Sequence, residues 1–168
     1  NEVVFDNVLV PKDRIVGEPG NGWQQVTSEL AYERSGPERF LSSFRVFVEL
    51  VRICGDSPSP HQAAAIGRIA SHFMTLRRMS LSVAGMLEAG KDVSVEAALV
   101  KELGNNFEKL LPEIARLVVP DLSAVDPDKQ RLFRETFEET LMLSPSFTLR
   151  GGTREIMRGV IARGLGLR

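Results

Sequence analysis

The chain has 168 residues, 43% hydrophobic and 26% charged, with 21 Lys and Arg against 22 Asp and Glu and a net charge of −1. These values fit one globular domain with a core and exclude a disordered chain. Charges of both signs are interspersed and no Lys/Arg run offers a phosphate track, so nucleic acid is not an expected partner. The single cysteine, Cys54, excludes an internal disulfide. With only His61 and His72 beside it and no Cys-x-x-Cys pair, no metal site is expected.

The opening Asn1-Glu2-Val3-Val4-Phe5 has no basic segment leading into a long apolar one, and no window reaches the length of a membrane span. A cytoplasmic location without a membrane span is the resulting expectation. Val3 to Val10 is β-rich, partly alternating and stopped by Pro11, which predicts a short strand. A lone strand needs partners, and nothing later reads as one. The expectation is a residual strand and linker over 1–16, left from a β-domain that this chain lacks, followed by a helical domain over 17–168.

After the turn-forming Gly17-Glu18-Pro19-Gly20-Asn21-Gly22, all periodic segments are helical. A first helix is predicted from Trp23 to Arg34, with Trp23 packing at its start, and Ser35-Gly36-Pro37 interrupts it. A second presents Phe40, Phe44, Phe47, Val48 and Val51 on one face and ends near Gly55. A third, from His61 to Ala89, carries the seam Ile66, Ile69, Phe73, Leu76, Val83 and Leu87, with Ser80 in its gap.

A fourth helix starts at Ser94 with Val100, Leu103, Phe107, Leu110, Ile114 and Leu117, and Pro112 is expected to kink or end it. The third and fourth should form an antiparallel hairpin. Asp126-Pro127 opens a fifth helix, with Phe133, Phe137 and Leu141 inside and a break at Ser144-Pro145-Ser146. Gly151-Gly152 then precedes Thr153, the N-cap of a last helix with Ile156, Met157, Val160 and Ile161. The fold class is all-α, an up-down four-helix-bundle-like domain. Periodicity alone leaves an unrelated helical binding module open.

Two separated motifs go further. Phe5-Asp6-Asn7-Val8-Leu9-Val10-Pro11, then Ile15-Val16-Gly17, Gly20-Asn21-Gly22-Trp23 and Leu30-Ala31-Tyr32-Glu33-Arg34, resemble the opening of the C-terminal helical domain of the acyl-CoA dehydrogenases. The tail from Gly151 to Leu167 resembles that family's closing signature.

The resemblance implies an FAD enzyme that oxidises an acyl-CoA thioester to the 2,3-enoyl-CoA, a carboxylate taking the α-proton while the β-hydride passes to flavin. It also implies assembly into dimers or tetramers, or with a second dehydrogenase-like chain, and an electron-transfer flavoprotein as acceptor. The fragment alone is expected to be inactive.

Many family members place the catalytic Glu directly before the Gly-Thr of the closing signature; here that position is Gly151. A minority carry the base in the first helix of this domain at a Glu-Arg pair. By that resemblance Glu33 is the base, Arg34 a substrate-side positioning neighbour, and the Gly151 backbone N–H a donor to the thioester oxygen. Gly152, Thr153 and Glu155 match positions beside FAD. The structural readings of the same residues are a solvated Glu-Arg pair, a glycine turn with positive φ, an N-cap worth roughly 0.5–2 kcal/mol and a first-turn acid worth about 0.3–1 kcal/mol.

Two departures concern the flavin. The family's Arg-x-x-Phe-Gly stretch reads Arg52-Ile53-Cys54-Gly55-Asp56, which leaves Arg52 as the weakest cofactor candidate. A His-Gly-Gly-type loop is replaced by Val118-Val119-Pro120-Asp121-Leu122. They point to the alternative, a non-catalytic dehydrogenase-like partner subunit.

Overall fold

The computed structural model describes residues 2–167; the ends of both sequence-predicted segments, residues 1 and 168, lie outside them. Among the described residues there are six α-helices and no strand: α1 Gly22–Ser35, α2 Phe44–Cys54, α3 Pro60–Glu88, α4 Ser94–Val118, α5 Pro127–Phe147 and α6 Arg154–Gly164. Residues 2–10 form no regular element and are exposed. The alternating apolar residues expected to make a strand find no second strand to pair with here, and an unpaired strand has no ladder to hold it.

Helix α4 is the axis of the fold, with α1, α2, α3, α5 and α6 all packed against it. The α3–α4 hairpin is antiparallel as expected. Gln62 near the start of α3 donates to the Val118 carbonyl at the end of α4 (3.1 Å), and halfway along Phe73 meets Phe107 edge-on with centroids 4.9 Å apart. The α3 seam is the predicted one: Ile69, Phe73, Leu76 and Val83 are buried, and Ser80, in the gap, donates to the Ser35 carbonyl at 2.6 Å. Ser59 and Gln62 close a reciprocal capping box at its start.

Three helices differ from expectation. In α2, which begins at Phe44, the core face is Val46, Leu50 and Ile53, whereas Phe44 and Val51 are exposed. Phe40 is buried in the connection before the helix. In α4 Val100 and Phe107 are buried as expected, but the inward face is completed by Ala97, Lys101, Gly104, Glu108, Leu111 and Ala115, leaving Leu103, Leu110 and Leu117 exposed. The cause is crowding: the central helix meets five others, and small residues let them approach. Pro112 sits buried within α4 without ending it.

Helix α5 runs through Pro145 to Phe147, with Leu141 exposed. Proline removes the N–H that would reach the Leu141 carbonyl one turn back. The Ser144 hydroxyl supplies that bond instead, at 3.1 Å, so the helix continues. Trp23, expected to pack, is 82% exposed.

Candidate functional site

The C-terminus of α1 is the first wall of the site. Its last carbonyls lack intrahelical partners, and side chains from elsewhere satisfy two of them: Arg39 Nε donates to Glu33 O at 2.9 Å and Ser80 Oγ to Ser35 O. Arg39 belongs to a one-turn 3₁₀ segment, Pro37–Arg39, and is buried. That segment sits tight against α4 because position 104 is glycine. A Cβ there would lie well inside contact distance of the Arg39 carbonyl oxygen.

The second wall is the turn between α5 and α6. Gly151 and Gly152 have φ of +65° and +103°, the left-handed region that favours glycine. Arg34 Nε donates to the Gly151 carbonyl at 3.1 Å, tying the turn to α1. Arg39 Nη2 donates to Glu33 Oε1 in an ion pair. A Cβ on Gly151 would stand 3.1 Å from Glu33 Oε1 and 3.3 Å from Arg39 Nη2. The two positions at which the resemblance places a base therefore meet in space, although 43% of the Glu33 side chain is exposed.

The floor is polar α4. Glu108 is fully buried; it accepts from the Ser42 N–H at 2.6 Å and from Arg150 Nη2 at 3.1 Å. Burial holds its carboxyl above the usual range, against the pull of Ser42, Arg150 and Arg39. Lys101, two helical turns earlier, is fully buried and its Nζ has no hydrogen-bond partner among the described residues. Burial, with Arg39, Arg34 and Arg150 adding and Glu102 opposing, pushes its ammonium down to about 8. Burial likewise lowers Arg34, against Glu33.

At the start of α6, Arg154 reaches Glu102 with two nitrogens (2.8 and 3.1 Å) and Arg158 joins the same carboxylate at 3.1 Å. Thr153 is the N-cap of α6, as expected, although its hydroxyl makes no capping bond to a helix N–H. Glu155, fully exposed, is held below the usual carboxylate range by its own backbone N–H and then by the Thr153 hydroxyl.

Glu33, Arg34, Gly151 and Gly152 thus converge, and Thr153 and Glu155 follow on the adjoining turn. Arg52 stands apart: it pairs with Glu49 on α2 at 2.7 Å, and among the described residues no hydrogen bond or ion pair joins it to the cluster. Arg39, Lys101, Glu108 and Arg150 were not singled out in the sequence. For Lys101 and Glu108 the available signal was a pair of charged residues seven apart on the face that carries Gly104.

A Cβ on Gly152 would stand 3.1 Å from Met157 Cε, so glycine there lets the turn pack close against α6, and the Thr153 hydroxyl beside it pairs with the Glu155 carboxylate. Among the described residues no cluster of side chains suits a metal ion, and no helix is long and apolar enough to cross a membrane.

No family model matches the chain. It is 27% identical over 173 residues to the acyl-CoA dehydrogenase IpdE1 of Mycolicibacterium smegmatis, covering 99% of this chain and 42% of the relative. Identity to the Mycobacterium tuberculosis IpdE1 is 29% over 171 residues, 99% of this chain and 44% of that protein. To the acyl-CoA dehydrogenase FadE34 of M. tuberculosis it is 26%, over 98% of this chain and 22% of the relative. The chain spans less than half the length of these curated relatives. Along essentially its whole length, then, this chain is similar in sequence to the C-terminal part of acyl-CoA dehydrogenases.

Proposed function

We propose that the chain is the C-terminal helical domain of an FAD-dependent acyl-CoA dehydrogenase, with Glu33 as the base that takes the α-proton of an acyl-CoA thioester. The observation that carries this reading is the meeting of Glu33 Oε1 with the position a side chain at residue 151 would occupy, 3.1 Å from its Cβ. A carboxylate at either position serves one locus, and the left-handed backbone at Gly151 favours leaving the task to Glu33. In this reading residues 1–16 are the exit from a preceding β-domain, and the six helices are the family's four-helix domain with its extensions.

The bare N–H of Gly151 donates to the thioester oxygen, where negative charge develops as the α-proton leaves. Arg34 holds that N–H in place through the carbonyl of the same residue. Gly152, Thr153 and Glu155 would hold FAD, which when bound supplies the hydride acceptor. The partners that go with this activity are acyl-CoA, a second copy or a dehydrogenase-like companion chain, and an electron-transfer flavoprotein.

One observation favours a second reading, a companion subunit without its own turnover: Arg52, the remaining candidate at the α2 end of the flavin site, is paired with Glu49 instead. Anaerobic titration of the full-length protein with acyl-CoAs of several lengths separates the two. Bleaching of a bound-flavin band, lost in Glu33→Gln while flavin stays bound, supports the first. A protein that stays colourless with added FAD supports the second.

A further inference from the structure

We propose that Arg39 is the positioning residue of the Glu33 carboxylate, pinning Oε1 so that Oε2 is the atom that receives a proton. This rests on the reading of Glu33 as base. Arg39 holds one residue at two points, its Nε on the Glu33 carbonyl and its Nη2 on Oε1. One rigid, planar group thereby closes a ring through the Glu33 side chain, and the carboxylate cannot rotate away without breaking a charge-assisted bond. Among the described residues Oε2 has no hydrogen-bond donor.

The clamp is itself immobilised. Arg39 is only 3% exposed, and its carbonyl is seated in the gap left by Gly104. A half-exposed glutamate would otherwise sample several rotamers. Its fixed partner aims it at the 151 turn, where Nη2 itself lies 3.3 Å from the Cβ position.

The test uses the full-length, flavin-loaded protein and a thioester that bleaches it. Arg39→Gln should lower kcat on the order of 10²-fold, the loss expected from a small misplacement of a reacting group, with KM changed far less. Arg39→Lys should recover part of kcat, because one ammonium reaches Oε1 without also holding the carbonyl. Exchange of the thioester's α-hydrogens in deuterium oxide, which isolates proton removal, should fall in parallel.

Wild-type kcat and exchange in Arg39→Gln beside an inactive Glu33→Gln would overturn the positioning role and leave the base assignment standing. Turnover and exchange surviving in Glu33→Gln would overturn both. If Arg39→Gln does not fold, Arg39→Lys decides: wild-type kcat and exchange count against the clamp, and a loss of kcat at unchanged KM and flavin content supports it.

Discussion

Arg34 Nε and the carbonyl oxygen of Gly151 are 3.1 Å apart across 117 residues of sequence. Among the described residues this is the one hydrogen bond between the end of α1 and the glycine turn, and it holds the turn by its backbone. Arg34→Ala should therefore loosen the turn, at a cost of about 1–2 kcal/mol, the lower part of the range for a charged donor because the site is partly exposed. Denaturant unfolding measures the loss. Faster amide hydrogen exchange at Gly152 and Thr153 than in wild type places it.

Gly151→Ala has two effects with one sign. A left-handed conformation costs a residue with a Cβ roughly 1–2 kcal/mol, and the new methyl meets the Glu33 carboxylate at 3.1 Å. Stability should fall by at least that amount in chemical denaturation, and the turnover attributed to Glu33 should fall with it. A variant with unchanged stability would contradict the geometry of the turn.

At Gly104 two effects oppose. Alanine is the better helix former by about 0.8–1.0 kcal/mol, but its methyl would collide with the Arg39 carbonyl oxygen. Backbone cannot swing aside as a side-chain tip can, and overpacking costs typically 1–3 kcal/mol. Collision wins. Gly104→Ala should lower the thermal midpoint, while alanine at Gly67, exposed on α3 with open space around it, should raise it.

Lys101 gives the protein a pH dependence in the alkaline range. Its folded-state value of about 8 lies below the ordinary 10.5, so between these limits the unfolded chain binds the more protons and stability rises with pH. The contribution is complete above 10.5 and is lost as pH falls through about 8. Lys101→Met, which removes a buried ammonium without a partner, should stabilise the protein at pH 7 by on the order of 1–4 kcal/mol. That gain should shrink towards pH 10.5 in a series of thermal melts.

Ser144 carries a smaller prediction. Its hydroxyl serves the Leu141 carbonyl that Pro145 leaves unpaired, so Ser144→Ala should cost about 0.5–1.5 kcal/mol. Ser144→Ala in a chain that also carries Pro145→Ala should cost less, because the restored N–H takes over the acceptor. A double-mutant cycle in denaturant reads the difference.

These residues also mark what the sequence alone could reveal. The α3 seam was legible because Ile69, Phe73, Leu76 and Val83 are apolar at helical spacing on a helix that buries only that stripe. Helix α4 is legible only in part: Val100 and Phe107 are buried, but the leucines at 103, 110 and 117 are the louder pattern and are exposed, while the rest of the inner face mixes alanine, glycine and charge. A side-chain hydroxyl replacing a proline's missing donor has no periodic signature, so α5 outran its expected end at Ser144.

Glu33 and Gly151 were legible as separate motifs through resemblance. Arg39 and Lys101 were not, because only folding brings the 3₁₀ segment and α4 to the same place.

The bond between Arg34 and Gly151 joins the first α-helix to the turn before the last, which makes the site one of the most non-local parts of the molecule. Loop-closure entropy delays such contacts until the intervening chain has collapsed. The α3–α4 hairpin and its aromatic contacts are available early; the Glu33 constellation forms only when α5 and α6 have docked. A chain cut after α5 would keep the α3–α4 hairpin and its aromatic contacts but lack the Gly151 carbonyl that Arg34 holds.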